Sequence, residues 1–283
     1  MTVIQVVILA VIQGLTEFLP VSSSGHLVLS SALYQILSGQ PLSFGGEDEV
    51  FTDIILHVGT LSAVIFFFRK DLVKITKEFF TAVKTKDFSS FEAKLPIYLV
   101  IGTFFTVIIA FPLHEFCEDL VASPQIIGFF LLITGAILFF SEKIAVKNQN
   151  KPQNTQISLK HSVLIGIAQG IAALPGISRS GTTIATGMLF GLDRVSAARY
   201  SFLLSIFIIL GASIFYPVLK LDAQELTEIN WTAVIIGFFT SVIVGYMCVK
   251  YFMKFLGKNS MKCFAYYCWF IGVCAIIYFN FAM

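Results

Sequence analysis

Two polar segments of one design sit inside long apolar stretches, 156 positions apart. Gln13 to His26 reads QGLTEFLPVSSSGH, and Gln169 to Thr182 reads QGIAALPGISRSGT. At that offset and without a gap, Gln13 meets Gln169, Gly14 meets Gly170, Ser22 meets Ser178, Ser24 meets Ser180 and Gly25 meets Gly181. Pro20 and Pro175 miss by one position. A duplicated polar break in an oily chain points to one composite site made from two halves.

The surrounding sequence decides the solvent. Hydrophobic residues make up 57% of the 283 and charged residues 13%, where a soluble domain carries roughly a quarter charged. A water-soluble core cannot hide that much apolar surface, so the chain is expected to be an integral membrane protein. Its net charge of +2 is spread over separate loops and gives no reason to expect a nucleic-acid partner. The five cysteines show no metal-ligand or redox spacing, and in apolar segments cysteine behaves as a small hydrophobe. No Lys or Arg precedes Arg69, so the charged start of a cleavable signal peptide is missing.

A membrane helix needs about 20 largely apolar residues. Residues 1–12 and 27–37, either side of the first polar segment, are too short to span alone, and Pro20 with the serine run breaks the helix between them. The expected form is a re-entrant hairpin over 1–38, since non-helical backbone at membrane depth survives only inside protein or beside a water-filled cavity. Spans are expected at 52–69, 95–113 and 124–141, completing a first repeat over 1–141. A polar linker, 142–159, leads to a second repeat over 160–283, with a hairpin at 160–191 and spans at 195–217, 231–251 and 262–281. The predicted fold is all-α: six transmembrane helices plus two re-entrant helical hairpins. Three spans per half is an odd number, so the halves are inverted-topology repeats whose hairpin tips meet near mid-membrane.

Loop charge gives the orientation. The loop at 69–94 carries Arg69, Lys70, Lys74, Lys77, Lys84, Lys86 and Lys94; the linker carries Lys143, Lys147, Lys151 and Lys160; and 250–262 carries Lys250, Lys254, Lys258 and Lys262. Loops 38–51 and 114–123 carry none, and 218–230 has only Lys220. The first hairpin therefore opens to the outer face and the second to the cytoplasm.

Within the first segment Glu17 is four residues after Gln13, on the same helical face. An ionisable group at membrane depth is costly and points to function. Next to serines it could accept a proton or hold a divalent cation, and Gln13 could orient it or lend an oxygen. A structural anchor is the plainer alternative. His26 shares the loop with Ser22, Ser23 and Ser24 and could act as acid, base or nucleophile. In the second segment, Arg179 lies among Ser178, Ser180, Thr182 and Thr183. A guanidinium fork among hydroxyls at a helix start suits a phosphate, with Ser22 and Ser24 as further hydroxyls; a salt bridge to Glu17 is compatible with that role. Arg199 reads as snorkelling to the interface, and His57 and His114 read as structural.

QGLTEFLPVSSSGH and LPGISRSGTT closely resemble the two signature motifs of the BacA-type undecaprenyl-diphosphate phosphatases, and DIILHVGTLSAVIFFFR and AARYSFLL are also similar to that family. The resemblance covers essentially the whole chain. It implies a multi-pass protein of the bacterial cell membrane, hydrolysing undecaprenyl diphosphate at the outer face. The product monophosphate would return to peptidoglycan synthesis, with bacitracin resistance as a consequence. It also implies Glu17, His26 and Arg179 as essential residues, Ser23 as nucleophile, Ser178 and Thr183 as phosphate-binding hydroxyls, a homodimer, and a divalent cation such as Mg2+ or Ca2+. Many members have glutamate where this chain has Gln13, which weakens any scheme in which two carboxylates hold the metal. One carboxylate with phosphate oxygens and water would then have to suffice.

These expectations combine into one scheme. The diphosphate rests where the hairpins meet, its polyprenyl tail in lipid; Ser23 or a water attacks, Glu17 takes a proton or orients a metal, and His26 handles the other transfer. The alternative from another class is a lipid or solute transporter, or flippase, of the same inverted-repeat architecture. A small-ion channel lacks any filter-like motif.

Overall fold

A computed structural model describes residues 1–39, 41–42, 46–113, 123–147, 154–220 and 229–282. His114 lies outside the described residues. Those described form α1 (Val3–Thr16), α2 (Ser23–Leu37), α3 (Glu47–Phe67), α4 (Arg69–Thr85), α5 (Phe91–Ala110), α6 (Pro124–Lys147), α7 (Leu159–Ile171), α8 (Arg179–Leu189), α9 (Arg194–Lys220), α10 (Trp231–Leu256) and α11 (Lys262–Ala282). Six stretches, Glu49–Phe67, Phe91–Leu113, Pro124–Lys147, Arg194–Ile214, Trp231–Leu256 and Lys262–Phe281, are long and apolar enough to cross a membrane. They match the six expected spans within a few residues. The chain is an all-α integral membrane protein, and no strand occurs among the described residues.

Local structure repeats at the sequence offset. Thr2 caps α1 and Ser158 caps α7, each in a reciprocal capping box with the residue three positions on, Gln5 and His161. Ser22 caps α2 by accepting from the Gly25 amide at 3.3 Å, and Ser178 caps α8 by accepting from the Gly181 amide at 3.1 Å. The same small polar residues therefore start the same short helices twice.

Packing then exchanges partners between the halves: α1 lies on α10, α7 lies on α5, and α6 lies on α11. Small residues let the backbones approach, as membrane helix packing requires. A Cβ on Gly166 of α7 would stand 2.4 Å from the Gly102 carbonyl of α5, where Thr106 Oγ1 also donates to the Gly166 carbonyl at 3.0 Å. At the breaks, carbonyls freed from helices find donors: Leu15 O takes the Cys248 thiol, Leu19 O takes the Ser180 hydroxyl at 2.9 Å, and Gly176 O takes Thr134 Oγ1 at 3.0 Å. Phe18 is wedged edge-on to Phe202, centroids 5.2 Å apart, which fixes the first break against α9.

Three readings from sequence change. The charged stretch at 69–94 holds α4, whose Leu72, Ile75 and Ala82 turn toward the protein, while Lys74 bonds Glu92 at 2.6 Å. Arg199 is held by Asp71 of α4 at 2.8 Å, so it is tied within the protein rather than simply snorkelling. Glu142, placed by the sequence in the linker, is fully buried inside α6. It receives Arg194 Nε at 2.9 Å and Nη2 at 2.6 Å, and the Met261 amide at 2.9 Å.

Replacing Gly166 with Ala should destabilise the protein by about 1–3 kcal/mol through overpacking. Gly211, whose added Cβ meets nothing within 4 Å, should tolerate Ala or gain up to about 1 kcal/mol of helix propensity. Thermal melts of the two variants in detergent should shift in opposite directions or differ clearly; equal shifts would contradict the packing role.

Candidate active site

Glu17 ends α1, its amide bonded to the Gln13 carbonyl at 2.9 Å, and is 3% exposed. An ionised carboxylate there needs partners, and the structure supplies them from four helices. Arg179 Nη2 donates to Oε1. Ser23 Oγ donates to Oε2 at 2.5 Å, and Gln13 Nε2 donates to the same oxygen at 2.9 Å. His57 Nε2 faces Oε2 at 3.6 Å. Stripping one partner from such a buried pair typically costs about 3–5 kcal/mol.

Each side chain has a local reason for its place. Gln13 and Glu17 share a face of one helical turn. Ser22 adopts φ +70 and ψ 96, a conformation costing a non-glycine residue about 1–3 kcal/mol. That turn starts α2 with Ser23 facing back at Glu17. Arg179 opens α8 directly after its Ser178 cap. Its Nη1 is buried without a hydrogen-bond partner, so half of the guanidinium fork is uncommitted.

The other expected site residues divide. Ser178 Oγ lies 3.2 Å from Ser180 Oγ and caps α8, and Ser180 Oγ serves the Leu19 carbonyl. Thr183 Oγ1 bonds the Arg179 carbonyl at 2.8 Å and Ser201 Oγ at 2.6 Å. These three hydroxyls are engaged in holding the second break and joining it to the first. Thr182 Oγ1 is buried and unpartnered, Ser24 is exposed, and Ser22 acts as a cap. His26 Nδ1 lies 2.8 Å from the Ser22 carbonyl and Nε2 lies 2.9 Å from the Tyr267 hydroxyl. A carbonyl only accepts, so Nδ1 carries a hydrogen and Nε2 receives the tyrosine's. Among the described hydrogen bonds, none joins His26 to Glu17, Ser23 or Arg179.

His57 is the site residue that sequence reasoning missed. Reading it as a span-end histidine overlooked the rule already applied to Glu17, that an ionisable group within a membrane segment points to function. Its location on α3, outside both motifs, hid the contact.

As they stand, the residues here do not make a divalent-cation site. Glu17 is a lone carboxylate with both oxygens engaged, one of them by a guanidinium that would repel an added cation. Gln13 turns its donor nitrogen, not its oxygen, to that carboxylate. Among the described residues no group of three His, Cys, Asp or Glu could hold a metal ion.

Known sequences are similar over nearly the whole chain. A protein named undecaprenyl-diphosphatase from Halothermothrix orenii is 39% identical, with 98% of each chain covered. One of the same name from Methanobrevibacter smithii is 37% identical over 96% of each, and one from Alteromonas mediterranea is 36% identical over the full length of both. The family profile described as bacitracin resistance protein BacA matches residues 6–274. The chain belongs to the BacA family.

Proposed function

We propose that this protein is a membrane phosphatase that hydrolyses undecaprenyl diphosphate to undecaprenyl phosphate and inorganic phosphate. That reaction recycles the lipid carrier of peptidoglycan synthesis and confers bacitracin resistance. One observation carries the reading: Ser23 Oγ is 2.5 Å from a carboxylate oxygen of Glu17, whose other oxygen holds an arginine with a free Nη1. A hydroxyl on a base, beside an uncommitted guanidinium, is what phosphoryl transfer to serine requires.

The steps follow from those positions. The terminal phosphate takes the Arg179 fork and the first amides of α8. As the Ser23 oxygen bonds to phosphorus, its proton passes to Glu17 Oε2 and the bridging P–O bond breaks. Undecaprenyl phosphate leaves, and its charge needs little protonation. Glu17 gives that proton up to solvent; water then attacks the phosphoserine, its proton passing to Glu17 Oε2 and on to the serine oxygen as the Ser–O–P bond breaks and inorganic phosphate departs. Arg179 acts through charge stabilisation, which supplies most of the barrier reduction in this chemistry. His26 and its partner Tyr267 stand as candidates for proton transfer at the leaving oxygen. Thr182, whose hydroxyl has no partner, is the second-segment hydroxyl best placed to bind phosphate without dismantling the break.

Further parts of this reading concern the setting. The two broken segments are re-entrant hairpins of inverted repeats, the first opening to the outer face of the cell membrane, and two copies form a homodimer. The matched caps at the sequence offset and the exchanged helix packing support the repeats; the loop lysines support the orientation. The transporter reading is not favoured, because the relatives carry the name of a hydrolase and the Ser–Glu–Arg contact exceeds what binding alone needs.

Arg179→Ala should lower phosphate release from undecaprenyl diphosphate by at least about 10³-fold, the usual scale for an arginine at a transferring phosphoryl group. Near-normal release from purified protein would remove it from the site. Ser23→Ala should leave only background turnover and no acid-stable phosphorylated protein in a quench experiment. Substantial residual release from that variant would make water the nucleophile.

A further inference from the structure

Nothing in either polar segment points to His57. The ring is nonetheless pinned: Nδ1 lies 2.7 Å from the Asp53 carbonyl, which only accepts, so Nδ1 carries a hydrogen and Nε2 is left to face Glu17 Oε2 at 3.6 Å. The height of α3 is fixed by Gly59, where a Cβ would stand 1.9 Å from Ser241 Oγ of α10. The His57 side chain is 30% exposed while that of Glu17 is 1% exposed, so the ring is the more accessible member of the contact. The charged groups set against it are Glu17 from α1 and Asp53, one turn earlier on α3, which itself feels Glu49; Arg179 of α8 holds the opposite oxygen of Glu17.

Arg179 has two claimants. It compensates Glu17 in the structure, and a phosphate would draw the same guanidinium to itself. Glu17 would then be left in an apolar interior with Ser23 and Gln13, two neutral donors, just when it must accept a proton in the right direction. We propose that His57 is a positioning residue that takes the place of Arg179 beside Glu17 when phosphate draws Arg179 away, with the proton that makes its ring cationic taken up from solvent at Nε2. It holds the carboxylate aimed at Ser23 through the exchange. The electrostatic part stands on the contact itself; the catalytic consequence rests on the phosphatase reading.

The test separates the two. In substrate-free protein in detergent, thermal stability is measured for the wild type, His57→Ala, Arg179→Ala and the double variant. The loss on removing His57 should be at least about twofold larger without Arg179 than with it, because the pair share one carboxylate. Additive losses overturn the proposal. Should the double variant fail to fold, adding Glu17→Gln must restore it, since no charge then needs a partner; failure to restore it overturns the proposal as well. In turnover, His57→Ala should lower kcat about tenfold and change KM less than about twofold, the pattern of an interaction made mainly in the transition state. Unchanged kcat overturns the catalytic consequence. Absence of phosphate release from the wild type would instead sink the phosphatase reading and leave the stability cycle standing.

Discussion

A carboxylate buried among apolar helices sets the terms for this protein. Moving such a group out of water costs several kcal/mol even after relaxation, and only excellent geometry with extra hydrogen bonds repays it. Glu17 meets that condition through Arg179, Ser23 and Gln13. Three of these four residues come from the first broken segment and one from the second. Neither segment could keep its charge alone at that depth, so the contact ties together parts of the chain that share no helix. The supporting bonds follow from the same need. Breaking two helices frees carbonyls, and Cys248, Ser180 and Thr134 answer them from neighbouring elements.

The duplicated segments divide their labour by position. What repeats is framework: Thr2 and Ser158, Ser22 and Ser178, Gly14 and Gly170, each capping or closely packed in both copies. What differs is chemistry. Glu17 corresponds to Ala173, Ser23 to Arg179 and His26 to Thr182. Gln13 bonds Glu17, whereas its counterpart Gln169, with no carboxylate to meet, donates to Thr106 of α5 at 3.0 Å. A repeated framework therefore carries an asymmetric cluster, with the carboxylate and the hydroxyl on one side and the guanidinium on the other.

The spans, the two breaks and the Glu17–Arg179 meeting were legible in the sequence because each is written in local terms: run length, Pro and Gly placement, and charge where charge is costly. What stayed hidden depends on distant partners. His57 looks like any span-end histidine until α3 is packed beside α1. Glu142 looks like the start of a linker until Arg194, 52 positions on, arrives to neutralise it. The lysines of 69–94 dominated that stretch, although Leu72, Ile75 and Ala82 fall on one face of a helix. Hydroxyls were the least readable. A serine at a helix start can cap a helix, bridge a break or bind a ligand, and only the packed structure allots these roles.

That allotment narrows how a phosphate is held on the proposed function. With Ser178, Ser180 and Thr183 engaged in maintaining the second break, recognition falls to the Arg179 fork, to the amides at the start of α8 and to the unpartnered Thr182. Recruiting the engaged hydroxyls would loosen the turn that aims Arg179, so their best contribution is to stay where they are. The guanidinium, by contrast, is held so that it can change partners: one nitrogen is bound to Glu17 and the other is free. A phosphate must compete with a carboxylate for it, and the interaction gained has to outweigh the one given up. A terminal phosphate that can take both nitrogens offers more than Glu17 does through one. On that reading, release of inorganic phosphate restores the Glu17–Arg179 contact, and the pair that stabilises the fold also favours return to the starting state.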